Sequence, residues 1–496
     1  MSKILSNIIT FSMALILSKV IGTATTFCIA RLLLPAQYGI WMTLMLIVSY
    51  STILCFGTVE TLVKQVPFFV GKKDDFMIRR TDGGVLASIY FSAGILIFSS
   101  LVILIINSFF NRIPFHQYIQ IMLITAGIAL FSCFFYYRLT AFSQFKEVSF
   151  LNSSRAFITF VLVIGLGWKW NLFGMVIGAL LTEITMLLLS IRLNRILNRP
   201  ISLIFDRKLF WDLIKIGFPI TLVWWGYVVM TSLDRVISMS MLGKVFTGYY
   251  TLGTSIVSVL ILVPMAISQV LYPQVNEEVG KKTSNLSLSK IVVFPTQAMS
   301  LIVPTVLGVL FIITPIIYKY IFPKYLYGIH SAQILLCGAF FVCPLKNGVN
   351  YLVALDKQFE VFKYVLISLA TNVVLTITAI KMSLNIEGVA LATSFGSLLL
   401  TTLIWKSVYK NLGFSFSEQM NQIFQLYLPM VLMTIILMII IFIKQYSSLN
   451  SIIEISLSIL LFLTSYAISI YATPFLRNWA ILIFQKVSPK RNTLIL

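Results

Sequence analysis

Long apolar runs, separated by short polar breaks that carry most of the charged residues, repeat along the whole chain. A run of about 20 apolar residues can cross the hydrocarbon core of a bilayer as an α-helix. Fourteen such runs predict transmembrane helices at residues 8–30, 40–63, 84–106, 118–137, 150–168, 172–191, 213–241, 247–272, 291–317, 329–350, 363–380, 386–405, 423–443 and 452–473. The first run is too long for the core of a signal peptide, so we interpret it as a retained span. The pattern therefore predicts an all-α polytopic membrane protein.

Composition agrees with the pattern. The 496 residues are 59% hydrophobic and 11% charged, and the mean hydropathy is +0.96. A soluble domain carries about 25% charged residues, so soluble enzymes and nucleic-acid binders are excluded despite the net charge of +21. The five cysteines form no CxxC pair and only two histidines exist, which argues against a metal site or a disulfide framework. A GxxxxGK[ST] loop for ATP is also absent, and no cofactor is expected.

The positive charges predict how the chain is oriented. Of the 37 lysines and arginines, 27 lie at the termini or in connections after even-numbered spans, and 8 lie in connections after odd-numbered spans. Because cytoplasmic connections are rich in Lys and Arg, both termini are predicted in the cytoplasm of a cell whose inner membrane the chain crosses. Tryptophans near span ends are predicted to form interfacial belts. They are Trp41, Trp168, Trp170, Trp211, Trp405 and Trp479.

The two halves of the chain match at a nearly constant offset. Gly39 aligns with Gly248 at 209 residues, and Asn171 aligns with Asn385 at 214. The repeat predicts a six-helix bundle at 1–210, a second copy at 211–415, and two additional helices with a cytoplasmic tail at 416–496. Six spans is an even number, so the copies are parallel. A repeat of this kind suits alternating access around a cavity between the halves.

Two charged residues lie in the middle of predicted spans. Lys19 is about eleven residues, or 16 Å, from either end of its span, so its ammonium cannot reach the membrane surface. Its burial in lipid would cost about 2.5–3.5 kcal/mol. Lys19 is therefore either a cavity-facing cation that binds an anionic substrate group or one half of an ion pair. Glu183 is the obvious partner of Lys19, or else a carrier of a proton or cation.

The other candidate residues have a structural alternative each. Glu60 is a solvated cap near the end of the second span or an ion-coupling acid. Asp234 and Arg235 are neighbours whose side chains point about 100° apart, so each needs another partner or a wet cavity. Trp224 and Trp225 either stack on sugar rings or pack between helices.

Arginines near span ends are predicted to anchor the chain at the membrane surface. They are Arg31, Arg138 and Arg155, and a position at the mouth of a cavity is the alternative. Four prolines in or near spans of the second half are candidate kinks. They are Pro264, Pro304, Pro315 and Pro344.

Several local motifs resemble a known family. The segment from Ala30 to Trp41 (ARLLLPAQYGIW) is similar to the leucine-rich Pro-x-x-Tyr-Gly-Leu-Trp loop after the first helix of Wzx-type polysaccharide flippases. These belong to the multidrug/oligosaccharidyl-lipid/polysaccharide exporter (MOP) superfamily. Leu233-Asp234-Arg235, Leu242-Gly243 and Gly248-Tyr249-Tyr250 resemble the second-half pattern of the same family, although Phe246-Thr247 replaces its usual apolar pair.

The resemblance covers nearly the whole chain and implies a function. It implies a flippase that moves a polyprenyl-diphosphate-linked oligosaccharide from the cytoplasmic to the outer leaflet. It also implies cavity cations that attract the diphosphate, a role that fits Lys19, with Arg31 and Arg235 as further candidates. The related lipid II flippases share the fold, but this chain has fewer mid-span arginines than such a flippase is expected to have.

The energy would come from an ion gradient or the membrane potential, with Glu183, Glu60 or Asp234 as coupling acids. The cargo would be a repeat unit of O-antigen, capsule or exopolysaccharide. Partners would be membrane lipids and other glycan-assembly membrane proteins, with no nucleic acid. Two alternatives are an ion-coupled drug exporter of the same fold and a membrane glycan polymerase. The polymerase needs catalytic groups on a large outer loop, and the outer connections here reach only about a dozen residues.

Overall fold

A computed structural model describes residues 2–110, 115–204, 206–280, 285–444 and 451–487. These residues form helices and short connections, and no strand occurs among them. Within this part of the chain, ten helices are long and apolar enough to cross a membrane. The predicted all-α polytopic membrane fold is therefore confirmed.

Eighteen α-helices are found in the described residues. They are α1 Ser2–Leu32, α2 Pro35–Ser51, α3 Thr58–Gly71, α4 Asp75–Phe110, α5 His116–Ala141, α6 Phe145–Thr159, α7 Gly165–Asn194, α8 Arg207–Met230, α9 Leu233–Met241, α10 Lys244–Gly280, α11 Asn285–Ile316, α12 Ile329–Val342, α13 Leu345–Ala354, α14 Gln358–Lys381, α15 Asn385–Asn411, α16 Phe416–Lys444, α17 Ser451–Ala472 and α18 Pro474–Val487. Each of the fourteen predicted spans falls on one or two of these helices.

Several predicted spans are broken, and each break has a local cause. The second span divides into α2 and α3 at Phe56 and Gly57, which both have left-handed backbones. The tenth divides into α12 and α13 at Pro344, whose ring cannot continue a helix. Pro304, by contrast, stays inside α11. The fifth span passes through a π-helical turn at Phe160–Ile164 between α6 and α7.

The chain divides into two compact units. The first comprises residues 1–239 and 243–248, and the second comprises 240–242 and 249–496. Helix α8 packs on α3 and α4 and therefore belongs to the first unit. The bundle limits predicted from the repeat, 1–210, 211–415 and 416–496, stay a prediction.

The core of the first unit lies where α3, α4 and α5 pack together. Leu62, Val85, Ile89 and Phe134 are fully buried there. Hydroxyl groups in this core bind one another, as the short hydrogen bond between Thr58 Oγ1 and a serine of α4 shows (2.6 Å). Helices α4 and α5 pack against each other along their length and, together with α3, bury these side chains.

Two glycines allow α3 and α8 to cross at backbone contact. A Cβ atom on Gly217 would overlap the carbonyl oxygen of Gly57, and Gly57 itself has φ = 77°. Next to the crossing, Thr61 donates a hydrogen bond to the carbonyl of Leu213 (3.1 Å). The crossing therefore requires glycine at both positions.

We predict that Gly217→Ala lowers the free energy of unfolding by about 1–3 kcal/mol, because the added methyl group must push the two helices apart. Gly94→Ala is the matched control, since a Cβ at Gly94 of α4 meets nothing within 4 Å. The control should be neutral or slightly stabilising. Thermal unfolding of the purified protein in detergent measures both, and equal stability of the two variants would contradict the close crossing.

Tryptophans depart from the predicted belts. Trp168, Trp170 and Trp211 are exposed, as a position at the membrane surface requires. Trp41, Trp405 and Trp479 are buried instead, so their assignment to the belts is wrong. The indole of Trp405 donates a hydrogen bond to the carbonyl of Pro344 (3.2 Å), the residue at which α12 and α13 divide.

The second unit ends in three helices that pack around α11. Tyr466 of α17 donates a hydrogen bond to the carbonyl of Leu301 (3.1 Å). Helix α18 was not predicted from the apolar runs because it is too short to cross a bilayer. It begins at Pro474, and its side chains Leu476 and Trp479 pack against Leu301.

Candidate functional site

A tight hairpin in the first unit positions the candidate site. Its first arm runs from α6 through the π-turn to Trp170, and its second arm is the rest of α7. The chain reverses at Trp170 and Asn171, where the backbone leaves the helical region. Gly178 lies so close to the π-turn that a Cβ there would be 2.8 Å from the Cα of Val163. This close packing brings Arg155, before the π-turn, next to Glu183 of α7.

Arg155 and Glu183 form an ion pair in which Arg155 Nη1 donates to Glu183 Oε1. The two side chains differ in accessibility, because Arg155 is 42% exposed and Glu183 is 10% exposed. The acid is therefore held inside the bundle, while part of the guanidinium stays accessible. Pairing lowers the cost of placing either charge in a span.

A cavity of about 270 Å³ adjoins this pair. Six polar side chains line it together with the pair, namely Ser51, Thr52, Ser132, Tyr136, Asn152 and Ser190. One of them, Asn152, donates a hydrogen bond to the hydroxyl of Tyr136 (3.2 Å). Asn152 and Arg155 are three residues apart on α6 and therefore share a face. The cavity thus combines a cation, an acid and hydrogen-bonding groups within the membrane-spanning helices.

One oxygen of the buried carboxylate is unsatisfied. Glu183 Oε1 accepts from Arg155, but Glu183 Oε2 has no hydrogen-bond partner among the described residues. A buried carboxylate oxygen without a partner is costly. Protonation or a bound cation would satisfy it, so Glu183 has the chemistry of an ion-coupling group as well as that of a structural partner.

The ion pair between Arg155 and Glu183 shows that Glu183 is not the partner of Lys19. Glu183 is bound to Arg155, and Lys19 makes no ion pair with any residue that the structure describes. Lys19 is exposed near the middle of α1, and Arg31 is exposed in its last turn. Helix α1 packs on α6, the helix that carries Arg155. The predicted substrate contacts of Lys19 and Arg31 stay predictions.

Glu60 lies in the first turn of α3, just after the break at Gly57. Helix α3 continues to Gly71, eleven residues beyond Glu60. Its carboxylate is half-buried and is hydrogen-bonded to Thr221 of α8. The positive end of the helix dipole also favours an acid in a first turn. These contacts are consistent with a structural role, and an ion-coupling role stays a prediction.

Asp234 and Arg235 begin α9, directly after the break in the seventh span. Asp234 is buried and accepts a hydrogen bond from the backbone amide of Arg235 (2.8 Å). Ser232, in the break itself, is hydrogen-bonded to the hydroxyl of Tyr50 (2.7 Å). The break therefore explains how neighbouring charges are accommodated here, and their binding and coupling roles stay predictions.

The two tryptophans of α8 are placed differently. Trp225 is buried and packs edge-on against Phe218, with ring centroids 6.4 Å apart. That contact agrees with the helix-packing alternative for Trp225. The side chain of Trp224 lies outside the described part, so sugar stacking there stays a prediction.

Two arginines near span ends depart from the predicted role of surface anchors. Arg155 lines the cavity and pairs with Glu183, which agrees with the alternative of a position at a cavity. Arg138 is 1% exposed and pairs with Asp82, so its assignment as a surface anchor is wrong. For Arg155 a signal was available, since Asn152-Ser153-Ser154-Arg155 is an unusually polar stretch in an apolar span.

Comparison with known proteins agrees with the fold. Residues 4–277 match the family described as polysaccharide biosynthesis protein. The chain belongs to this family. The comparison with curated proteins found no match to this sequence.

Solved structures share its fold. The lipid II flippase MurJ in an inward closed conformation has 18% identity and a TM-score of 0.70, and the match covers 94% of this chain and 99% of that one. An inward-facing multidrug resistance MATE transporter of the MOP superfamily has 12% identity and a TM-score of 0.66, covering 81% and 96%. A MOP superfamily transporter from Pyrococcus furiosus has 12% identity and a TM-score of 0.58, covering 82% and 95%. The chain therefore has the fold of MOP superfamily flippases and transporters.

We predict that Arg155→Gln destabilises the protein more than Glu183→Gln does. Loss of Arg155 leaves a buried carboxylate without a cation and should cost about 1–3 kcal/mol. Loss of Glu183 leaves a partly exposed guanidinium and should cost less than about 1 kcal/mol.

Thermal unfolding of the two variants and of the double variant Arg155→Gln/Glu183→Gln tests this. The double variant should recover most of the stability lost in Arg155→Gln, because no unpaired charge remains. If the two single variants are equally stable, the carboxylate does not depend on Arg155.

Proposed function

We propose that this protein is a flippase of the inner membrane that moves a polyprenyl-diphosphate-linked oligosaccharide from the cytoplasmic to the outer leaflet by alternating access. The observation that carries the proposal is Arg155, a partly exposed cation fixed by a buried acid at a cavity within the spans. Membership of the polysaccharide biosynthesis family and the flippase fold support a glycan cargo.

The guanidinium of Arg155 suits a diphosphate. It carries five N–H donors in a rigid plane, and only Nη1 is directed at Glu183. The other donors have no partner among the residues that the structure describes, so they can bind two phosphate oxygens at once, which is the strong geometry for Arg and phosphate. Because Glu183 already holds the guanidinium in place, little side-chain freedom is lost when the diphosphate binds.

Other candidate residues would complete the path of the substrate. Lys19, exposed in α1, and the cations Arg31 and Arg235 would attract the diphosphate or acidic sugars. Trp224 would offer a ring on which a sugar can stack. The polyprenyl tail would stay in the bilayer between helices, since the apolar chain gains nothing from a polar cavity.

Ion coupling would act through the buried acids. When a diphosphate binds Arg155, Glu183 loses part of its compensating charge, so it would take up a proton or cation at Oε2. Release of the substrate would reverse this step. Asp234 and Glu60 are the alternative coupling acids, and the ion gradient or membrane potential would supply the energy.

The topology follows from the charge distribution. An excess of Lys and Arg in the connections after even-numbered spans supports cytoplasmic termini. The cargo would be a repeat unit of O-antigen, capsule or exopolysaccharide. Other glycan-assembly membrane proteins would supply and consume it, and the protein itself would catalyse no covalent reaction.

A drug exporter is the second candidate function. The likeness to MATE transporters and the free oxygen of Glu183 favour it, because a buried acid in a cavity can bind a cationic compound. A drug exporter would need the acid but not the cation. Arg155 therefore distinguishes the two candidates.

The proposal is tested by the sidedness of the lipid-linked glycan in intact cells. Cells with and without the protein are treated with a glycan-modifying reagent that does not cross the membrane. We expect the linked glycan to become inaccessible and to accumulate when the protein is absent. Arg155→Gln should lower the rate of exposure about tenfold, the effect of losing one charge-assisted contact.

The matched control is Arg192→Gln, which removes an exposed arginine from the last turn of α7, outside the cavity. It should leave glycan exposure unchanged at equal protein abundance. Unchanged accessibility in cells that lack the protein, together with altered sensitivity to cationic drugs, would overturn the flippase proposal in favour of drug export.

A further inference from the structure

A second polar cavity lies in the first unit, where the connection between α7 and α8 rests on the beginning of α4. Arg199 of the connection donates to Asp75 (2.6 Å), and Arg80 donates to Asp206 (2.8 Å). The Arg80 hydrogen bond holds the pKa of Asp206 below its usual range. The backbone amide of Ile204 also reaches the carbonyl of a glycine in α4 (3.4 Å). Two ion pairs and one backbone hydrogen bond therefore hold the connection between α7 and α8 against α4.

A fully buried ion pair lies beneath the connection. Arg138 Nε donates to Asp82 Oδ2 at 2.8 Å, and the two side chains are 1% and 2% exposed. The other donors of Arg138 bind Asn194 Oδ1 (3.4 Å) and the carbonyl of Arg199 (3.1 Å). Arg138 is therefore fully committed to its neighbours and is not available to a ligand.

Asp82 has hydrogen-bonding capacity left over. Its Oδ1 has no partner among the described residues, although the side chain is almost completely buried. Asp82 lines a cavity of about 260 Å³ together with Asp75, Arg79 and Arg199. Arg79 is exposed and forms no ion pair with any residue in the described part of the chain. The cavity therefore has an oxygen of Asp82 that lacks a hydrogen-bond donor and a guanidinium of Arg79 that can donate hydrogen bonds.

The charges around the cavity limit which ligand it can hold. Three arginines (Arg79, Arg138 and Arg199) face two aspartates (Asp75 and Asp82), so a metal cation would meet net positive charge. A simple anion would suit the arginines but would leave Asp82 Oδ1 unsatisfied. A group that carries both a phosphate and an N–H cation satisfies both sides.

The position of the cavity supplies the source of such a group. Helix α4 begins at Asp75, and the apolar run of this span begins at residue 84. Asp75, Arg79 and Asp82 therefore lie just before the apolar run, at the level of lipid headgroups. A lipid headgroup is the phosphate-bearing group present at that depth.

We propose that this cavity binds the phosphoethanolamine headgroup of a membrane lipid. The ammonium donates to Asp82 Oδ1 and Asp75, and the phosphate accepts from Arg79 and Arg199. This site is distinct from the Arg155–Glu183 cavity, and it does not depend on what the protein transports.

Lipid retention by the purified protein tests the site. The protein is exchanged into mixed micelles that contain phosphatidylethanolamine, its mono- and dimethyl forms and phosphatidylcholine with the same acyl chains, and bound lipid is counted by native mass spectrometry. Each methyl group removes one N–H donor, so we expect retention to fall along the series. Phosphatidylethanolamine should be retained about tenfold more than phosphatidylcholine, as expected for charge-assisted hydrogen bonds that the fully methylated headgroup cannot make.

Variants assign the effect to the cavity. Arg79→Gln, at an exposed position that the fold does not use, should reduce retention of phosphatidylethanolamine several-fold. Arg207→Gln, an exposed arginine outside the cavity, should not. Asp82→Asn should abolish the preference for the unmethylated headgroup, provided that it folds. Arg79→Gln decides the question if it does not.

Equal retention along the methylation series would overturn the proposal. In a parallel exchange with phosphatidylglycerol of the same acyl chains, retention equal to that of phosphatidylethanolamine would do the same, because it would show that only the phosphate is bound. Retention that Arg79→Gln leaves unchanged would place the bound lipid elsewhere. None of these outcomes bears on glycan transport, so the two proposals fail independently.

Discussion

Charge inside a membrane must be paired or hydrated, and the first unit depends on how it meets this requirement. Two of the four arginine–acid ion pairs that the structure describes in this unit show how, and they differ in one respect. Arg138 and Asp82 are sealed from solvent, with the remaining donors of Arg138 bound to its neighbours. Arg155 pairs with Glu183 but stays partly exposed at a cavity. The sealed pair joins α4, α5 and the connection after α7, whereas the open pair leaves donors available for a ligand.

The helices could be predicted from the sequence because a bilayer imposes length and apolar character on every span. The charged pairs could not. Their members are 56 and 28 residues apart, and nothing local indicates which face of a helix meets which neighbour. The π-turn at Phe160–Ile164 and the break at Gly57 change the register of a helix within the membrane, and neither alters the hydropathy pattern. Lys19, the most conspicuous charge in the sequence, has no ion pair in the described part of the chain, whereas Arg155 was predicted first as a surface anchor and only alternatively at a cavity.

The fold limits the class of protein, and the family favours a class of cargo. The fold is that of MOP superfamily flippases and transporters, which act on chemically different substrates according to their names. Membership of the polysaccharide biosynthesis family favours a glycan. Neither the fold nor the family identifies a group that would bind an anionic cargo. The accessible guanidinium of Arg155 is such a group, and an exporter of cationic drugs would have no use for it. In the proposed mechanism, the buried acid beside Arg155 would link the binding of an anion to the uptake of a proton or cation.

The central claim, that Arg155 binds the diphosphate during transport, can be measured with the purified protein in liposomes. A fluorescent polyprenyl-diphosphate-linked saccharide is placed in both leaflets, and a membrane-impermeant quencher reports its movement to the outside. The account predicts that the protein accelerates movement of the diphosphate-linked lipid but not of the same saccharide on an uncharged polyprenyl carrier. Arg155→Gln should remove this difference. Equal acceleration of both lipids, or full activity of Arg155→Gln, would contradict the account.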